Sequence, residues 1–504
     1  MGESFPKSDR VDVMLLLEGT FPYVSGGVSS WVNQIIRGFP QYRFGAIFLG
    51  SRREDYGEMK YELPANLVHF ETYYLHEVHD RPGLTPQEGN RAAFEVIKRL
   101  HAWFIKPDPS LLDNAFKDIN FYLDPSSGVD YGQFLHSRLS WEHITALYQE
   151  RCSDPSFGDY FWTVRNMHTP IWVLAEIARS LIPAQVYHTV STGYAGFLGA
   201  LLHHHTGRPL ILSEHGIYTK ERRIDIFNSD WIKDNRNALQ KDPTEISYYR
   251  DLWIRFFETL GNFCYGAAGT VVSLYDGARQ RQIDDGALPE HTRVIPNGID
   301  VARFARLREA APDAPAPVLT LLGRIVPIKD IKTFIRAIRI IANHLPEVEG
   351  WIIGPDSEDP EYAAECRALA ASLAVDDRVR FMGFRNPLEV LPGTGVLVLS
   401  SISEGLPLVL LEAFAAGIPV VATDVGSCRQ LIMGLGKEDE AIGPAGGVVG
   451  INNPQALADE ALRLLADPVL WQRARQAAIS RVERYYSHDS MFESYRELYS
   501  EGMN

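Results

Sequence analysis

The sequence predicts an α/β protein with two doubly wound parallel-sheet domains. Short apolar segments alternate with amphipathic ones along most of its 504 residues, as expected for strands that alternate with covering helices. An Ala/Pro-rich stretch, residues 310–317, separates two such series and is predicted to be a linker. A chain of this length is expected to hold two or three domains.

Residues 1–300 are predicted to form the first domain. Its strands are expected where short apolar runs recur, at residues 11–17, 43–49, 184–190, 209–215 and 270–275. Residues 51–183 interrupt this rhythm, are rich in aromatic side chains and are predicted to be a mostly helical insertion. These aromatic residues are either core or a surface that binds a ligand or a partner protein.

Residues 301–483 are predicted to form the second domain. Its strands are expected at residues 318–322, 350–354, 379–384, 396–400 and 419–422. Residues 484–504 are predicted to form a C-terminal helix that packs back on the first domain. A cleft between the two domains is the expected binding site.

Composition and charge exclude several classes of protein. Hydrophobic residues make up 45% of the chain and charged residues 22%, which indicates a globular protein rather than a disordered one. There is no run of 18 apolar residues, and the polar N-terminus does not resemble a signal peptide, so a cytoplasmic protein is expected. The net charge of −15 disfavours nucleic acid as a partner, and an anionic ligand would need local cations and helix N-termini.

Two cations follow the first strand of the second domain. Arg324 and Lys329 lie in the loop between that strand and its helix, at the edge of the sheet where α/β folds bind ligands. Alone, they are either part of an anion site or two solvated surface charges.

Two glutamates follow a neighbouring strand of the same domain. Glu404 lies in the loop, and Glu412 lies about one turn into the next helix. Glu412 alone could be a helix residue that interacts with the helix dipole. The amides of Leu408 and Val409, at the start of the helix, are suited to a diphosphate. Carboxylates that accept hydroxyl groups, beside cations and amides that hold an anion, match the mixed chemistry of a sugar diphosphate.

Two features of the first domain are weaker signals. Gly26 and Gly27, between the first strand and its helix, let the backbone approach a ligand closely or simply form a tight turn. His215 ends another strand and is placed to reach the cleft, unless it is only hydrogen-bonded in place.

The sequence predicts no metal site. The four cysteines are far apart, and three consecutive histidines, His203, His204 and His205, point in different directions on a helix and cannot all bind one ion. We expect reduced, buried thiols and a chain that needs no cofactor.

Together these motifs resemble the retaining glycosyltransferases of the GT-B fold, the group that includes enzymes similar to glycogen synthase. The resemblance implies two Rossmann-like domains that face a central cleft. It also implies that Arg324 and Lys329 hold the donor diphosphate, that Glu404 contacts the donor sugar and that Glu412 binds the ribose. Gly26 and Gly27 match the loop near the phosphates and acceptor, and His215 matches a histidine that touches donor sugar or acceptor. Phe384 and Arg385 match the region near the base more loosely.

A closer resemblance is to the PelF family of bacterial transferases that act in Pel exopolysaccharide synthesis. It is carried by EGTFPYVSGGVSSWV, by SEHGIYTKER and by the long insertion. The resemblance implies a UDP-sugar donor, a growing polysaccharide as acceptor, and work beside a membrane-embedded synthesis complex at the inner face of the membrane. Pro407 departs from the wider group, where glycine is common, and removes one backbone amide.

The predicted reaction is sugar transfer with retained configuration at the anomeric carbon. The charge that develops on the diphosphate would be stabilised by the two cations and the helix N-terminus without a metal. Three alternatives stay open: a nucleotide-sugar epimerase or a phosphorylase on the same fold, and a catalytically silent subunit that binds a nucleotide sugar.

Overall fold

The computed structural model describes residues 5–77, 88–105, 112–127, 131–229, 231–237, 246–309 and 314–503. Residues 310–313 of the expected linker lie outside this range. The chain divides into two compact units. The first unit comprises Met1–Ser273, Arg279–Arg293 and Arg496–Asn504, and the second comprises Leu274–Ala278 and Val294–Tyr495. Among the described residues, no helix has the length and apolar character needed to cross a membrane.

The first unit is built on a seven-stranded sheet. Its strands are β1 (Val11–Glu18), β2 (Phe44–Gly50), β3 (Leu67–Tyr74), β4 (Ala184–Thr189), β5 (Leu210–Glu214), β6 (Thr270–Ser273) and β7 (Thr292–Val294). Their order is β3-β2-β1-β4-β5-β6-β7, and the pairs from β3 to β6 are parallel. The order reverses between β1 and β4, which makes the carboxyl ends of these two strands the expected ligand site.

Helices cover this sheet. They are α1 (Gly27–Gly38), α2 (Arg91–Ile105), α3 (Leu112–Leu123), α4 (Tyr131–His136), α5 (Arg138–Arg151), α6 (Phe157–Ser180), α7 (Tyr194–Thr206), α8 (Tyr218–Asn228), α9 (Tyr248–Ala267) and α10 (Asp276–Asp284). In α1, Trp31, Val32, Ile35 and Ile36 recur at helical spacing and are buried.

The predicted insertion is mostly helical, with one correction. Residues 67–74 form β3, which extends the sheet beside β2. Aromatic side chains such as Trp103, Phe104 and Tyr122 are buried in the core formed by α2, α3, α6, α7 and α9. Trp141 and Trp162, by contrast, are 51% and 60% exposed. The insertion is therefore largely core, and a few of its aromatic rings remain at the surface.

The second unit is built on a six-stranded parallel sheet. Its strands are β8 (Val318–Leu322), β9 (Glu349–Ile353), β10 (Val379–Phe381), β11 (Val396–Leu399), β12 (Val420–Thr423) and β13 (Gly446–Val449). They lie in the order β10-β9-β8-β11-β12-β13, the doubly wound order of dinucleotide-binding domains. The order reverses between β8 and β11.

Helices also cover the second sheet. They are α11 (Val301–Ala305), α12 (Ile331–Ala342), α13 (Pro360–Ser372), α14 (Pro387–Val390), α15 (Leu408–Ala416), α16 (Cys428–Met433), α17 (Gly436–Glu440), α18 (Pro454–Ala466) and α19 (Pro468–Tyr485). On α12, Ile331, Phe334 and Ile338 are fully buried, as their spacing predicts. Two doubly wound α/β domains were predicted, and the structure confirms them.

The last helix, α20 (His488–Met503), begins in the second unit and ends in the first. The Tyr499 hydroxyl lies 2.8 Å from Nδ1 of His188, and the other ring nitrogen of His188 lies 2.8 Å from the Ser213 hydroxyl. All three side chains are buried, and burial lowers the pKa of His188 to about 3. A neutral histidine therefore links the end of the chain to β5.

Candidate functional site

The cations and the first glutamate of the second unit flank the point where its strand order reverses. Arg324 and Lys329 lie between β8 and α12, and Glu404 lies between β11 and α15. Because β8 and β11 are neighbouring parallel strands, these two loops leave the same edge of the sheet side by side.

Lys329 and Glu404 form an ion pair at this edge. Nζ of Lys329 lies 2.5 Å from a carboxylate oxygen of Glu404, and the two side chains are only 19% and 13% exposed. Lys329 also accepts a hydrogen bond at its carbonyl from the Ser400 hydroxyl, at 2.9 Å. The ammonium group has three donors, so it can hold Glu404 and still bind an anion.

Arg324 is placed differently. Its Nη1 lies 2.5 Å and 2.6 Å from the two carboxylate oxygens of Glu358, and both side chains are about half exposed. Exposed ion pairs contribute about 0–1 kcal/mol, so exchanging Glu358 for a phosphate would cost little. Lys329 is thus already held at the strand edge, whereas Arg324 is directed to a partner that a ligand can replace.

The start of α15 lies next to the Glu404 loop. Leu408 and Val409 occupy its first turn, where helix amides have no partner within the helix. Pro407 is the N-cap residue and supplies no amide, as the sequence indicated. Glu412 lies one turn further and is half-buried; burial raises its pKa to about 7, although Arg303 acts in the opposite direction.

A glycine in the loop after β12 allows the Glu404 loop to pack closely. Gly426 has φ of +54°, and a Cβ atom there would lie 2.3 Å from the carbonyl oxygen of Glu404 and 2.4 Å from that of Gly405. The next amide, of Ser427, donates to the Gly405 carbonyl at 2.9 Å. This contact fixes the backbone that carries Glu404, and only glycine fits it.

Phe384 and Arg385 lie in the loop after β10, and Phe384 is 78% exposed. The Gly354 amide, after β9, donates to the Gly383 carbonyl at 3.0 Å, so this loop lies one strand further along the same edge. An exposed ring at this position is available for stacking.

A cavity of about 670 Å³ lies at the corresponding edge of the first unit. Its walls include the ends of β1 and β2 and the segments after β4 and β5. The volume is in the range of small-molecule sites. The place where the strand order of this sheet reverses therefore also carries a binding-sized cavity.

Glu18, at the end of β1, anchors a polar network in this cavity. One of its carboxylate oxygens accepts from the Tyr218 hydroxyl at 2.9 Å, and the other accepts from the Ala195 amide at 3.1 Å. Arg222 donates to the same Tyr218 hydroxyl at 3.0 Å and lies over the Phe257 ring. The sequence did not predict this network, although Glu18 directly follows a predicted strand and Tyr218 and Arg222 lie within SEHGIYTKER.

His215 lines this cavity and is half-buried. Its Nδ1 lies 3.3 Å from the Ser213 carbonyl, which assigns the ring hydrogen to Nδ1, and its ring packs edge-on against Trp31 at 4.5 Å. The structure thus places His215 in the first unit's cavity, among Glu18 and Tyr218.

Gly26 and Gly27 lie at the start of α1 and are exposed. Among the described residues, no atom lies within 4 Å of a Cβ atom built at either position, and φ at Gly26 is 168°, an extended value that any residue can adopt. Packing within the chain therefore does not require glycine here, which is consistent with a backbone that a ligand approaches.

Glu214 is buried behind the wall of this cavity and holds one of its helices in place. It is 3% exposed and accepts hydrogen bonds from the Tyr218 amide at 3.0 Å, the Tyr265 hydroxyl at 2.9 Å and the Gln282 side-chain amide at 3.0 Å. Burial raises its pKa to about 7. Because Glu214 binds the first amide of α8, it positions the helix that carries Tyr218 and Arg222.

In the ranges that the structure describes, no three histidine, cysteine or acidic side chains are grouped as metal ligands.

Comparison with known proteins gives the family. Residues 11–290, more than half of the chain, match the family model described as a domain of unknown function, DUF3492. The chain belongs to the DUF3492 family. Residues 316–467 match the model described as glycosyl transferases group 1, so the prediction of a glycosyltransferase domain is confirmed for the second unit.

Curated relatives match about half of this DUF3492 protein. A D-inositol 3-phosphate glycosyltransferase of Streptomyces bingchenggensis is 31% identical over 235 residues, which are 43% of this chain and 49% of the relative. The lipopolysaccharide core biosynthesis glycosyltransferase LpsE of Rhizobium meliloti is 29% identical over 259 residues, 51% of this chain and 66% of the relative. The chain therefore matches about half to two thirds of the length of these relatives.

Among solved structures, Anabaena Alr3699/HepE in complex with UDP is similar over 97% of this chain and 100% of its own, with a TM-score of 0.56 and 15% identity. This likeness concerns the fold, and the predicted GT-B class with two Rossmann-like domains is confirmed.

The close packing at Gly426 gives a test of the Glu404 loop. Gly426→Ala adds left-handed strain of about 1–2 kcal/mol and a steric clash with two carbonyls that costs about 1–3 kcal/mol more. Gly436→Ala is the matched control, because Gly436 has φ of +76° and no described atom within 4 Å of a Cβ. Chemical denaturation should show a clearly larger loss of stability for Gly426→Ala. Equal losses would mean that the Glu404 loop is not held by this contact.

Proposed function

We propose that this protein is a retaining, metal-independent glycosyltransferase that uses a UDP-sugar to extend a bacterial exopolysaccharide of the Pel type. The observation that carries the proposal is the Lys329–Glu404 pair, held beside the start of α15 where the strand order of the second sheet reverses. A cation, a hydroxyl acceptor and helix amides at one sheet edge match the parts of a sugar diphosphate.

Each group at this edge has a role in donor binding. Lys329 and Arg324 hold the diphosphate with the amides of Leu408 and Val409. Glu404 accepts hydrogen bonds from hydroxyl groups of the donor sugar, and Glu412 accepts those of the ribose. Phe384 and Arg385 lie near the base. In the first unit, Gly26 and Gly27 allow close approach of a ligand.

The reaction proceeds on one face of the donor sugar. The acceptor oxygen forms a bond to the anomeric carbon while the bond from that carbon to the β-phosphate oxygen breaks, and the acceptor proton passes to the departing phosphate. Lys329, Arg324 and the helix N-terminus stabilise the developing charge, and a well-placed donor is worth about 3 kcal/mol in such sites. Glu404 orients the donor sugar, and His215 orients the acceptor.

The comparisons support the proposal in three ways. The second unit carries a glycosyl transferases group 1 domain. LpsE is named for lipopolysaccharide core biosynthesis, and the Alr3699/HepE structure contains UDP. The Pel type rests on the resemblance to the PelF family, which also favours a cytoplasmic enzyme recruited to a membrane-embedded synthesis complex.

UDP binding tests the donor site. Calorimetric titration in EDTA should show binding of UDP that weakens about 10- to 100-fold in Lys329→Ala, since a charge-assisted hydrogen bond contributes about 1.5–3 kcal/mol. Arg324→Ala should also weaken binding. Lys332→Ala and Arg367→Ala are matched controls, because these cations pair with Glu365 and Asp356 on the same unit and should not affect UDP.

Sugar transfer should fall at least 100-fold in Lys329→Ala, because the interaction is strongest in the transition state. A twofold loss would contradict the electrostatic mechanism. UDP-sugar binding without transfer to any acceptor would favour a silent binding subunit.

The raised pKa of Glu412 predicts a pH dependence. A carboxylate accepts ribose hydroxyls better than a carboxylic acid does, so UDP should bind more tightly at pH 8 than at pH 6, across the pKa of about 7. Phosphate groups also titrate near pH 6, and therefore the ratio of wild-type to Glu412→Gln affinity is the quantity to measure. This ratio should rise with pH. A constant ratio from pH 6 to pH 8 would show that Glu412 does not contact the ribose.

A further inference from the structure

A second cavity lies beside the cavity of the first unit. This second cavity has a volume of about 160 Å³ and lies between the start of α6 and the segment before α9. Trp231 and Trp253 line both cavities, so the two adjoin at this pair of rings, whose centroids are 5.6 Å apart. Together they extend from the sheet edge of the first unit to its helical layer.

Exposed aromatic rings mark the outer part of this path. Trp231 is 65% exposed and Trp162, in the second cavity, is 60% exposed. Exposed apolar rings that lie together along a cavity mark an interaction surface, whereas rings scattered singly do not. A flat indole offers an apolar surface to the C–H face of a sugar ring, whereas its N–H group can donate to a hydroxyl.

The charged side chains along the path are mostly acidic. Glu18, Glu221 and Asp225 line the first cavity and Asp159 lines the second, whereas the cations are Arg222 and Lys233. Arg222 donates to Tyr218, and Lys233 lies 3.7 Å from Asp159. Carboxylates in excess accept hydroxyl hydrogens well and repel anions.

From these observations we propose that the two adjoining cavities form one groove that binds the acceptor as an oligosaccharide of at least three sugar units, uncharged or cationic. This inference rests on the proposed function. The sugar at the sheet edge lies among Glu18, Tyr218 and His215, the next lies at Trp231 and Trp253, and the outer one lies at Trp162. The groove therefore selects a growing chain rather than a single sugar.

Binding to a glycan array tests the groove. The labelled full chain is applied to defined oligosaccharides of one to eight units that include uncharged, cationic and anionic series. We expect the bound glycans to be uncharged or cationic and to contain at least three units. Calorimetry with the fragments of the best-bound series should then show affinity that rises at least about tenfold from the monosaccharide to the trisaccharide.

Three tryptophan variants separate the groove from general surface effects. Trp231→Ala and Trp162→Ala should each remove about tenfold or more of the affinity for the longest fragment, and Trp162→Ala should leave the disaccharide nearly unchanged. Trp141→Ala is the control, because Trp141 is 51% exposed on α5 and lines neither cavity. It should change no affinity.

UDP titration of the same preparations keeps this proposal distinct from the proposed function. If UDP binds but the array retains no glycan, or retains anionic glycans only, the groove proposal is wrong. Affinity that does not depend on length would also overturn it. If the fragments bind as expected and UDP does not, the donor assignment fails and the groove stands.

Discussion

The order of parallel strands is the constraint on which both candidate sites depend. In each sheet the order reverses beside the first strand, between β1 and β4 and between β8 and β11. The loops at such a point diverge to opposite faces of the sheet and leave a crevice at the carboxyl ends of the strands. Lys329 and Glu404 lie at that edge in one unit, and Glu18 lies there in the other.

An acidic chain that binds an anionic donor needs concentrated positive potential at one place. In the proposed donor site of the second unit, this potential would come from a cation held at the sheet edge, a second cation paired with an exposed carboxylate, and the start of a helix. Glu404 holds Lys329 in place. Its negative charge also offsets the free-energy cost of removing the Lys329 ammonium group from water. Burial raises the pKa of Glu412 to about 7. The fraction of Glu412 that is ionised therefore changes with pH near neutrality.

Local pattern predicted much of the fold, and it identified the residues of the proposed donor site, whereas it did not identify the Glu18 network of the first unit. Strands β8 and β11 were visible as apolar runs, so their following loops could be placed together. The sequence did not predict β3, because this strand lies in an aromatic-rich segment. It also did not predict β13, because this strand is only four residues long and begins with two glycines. The Glu18–Tyr218 contact joins residues 200 positions apart, and the pairing of Arg324 with Glu358 depends on side-chain conformation; no local pattern contains either. Which aromatic rings of the helical layer are exposed likewise depends on packing, so Trp162 could not be told from Trp103.

A crystal structure of the protein with UDP tests the central claim most directly. The account predicts the β-phosphate within hydrogen-bond distance of Nζ of Lys329 and of the Leu408 or Val409 amide, with Arg324 turned from Glu358 toward the diphosphate and the ribose against Glu412. UDP bound elsewhere, with Lys329 contacting Glu404 and no phosphate, would contradict it.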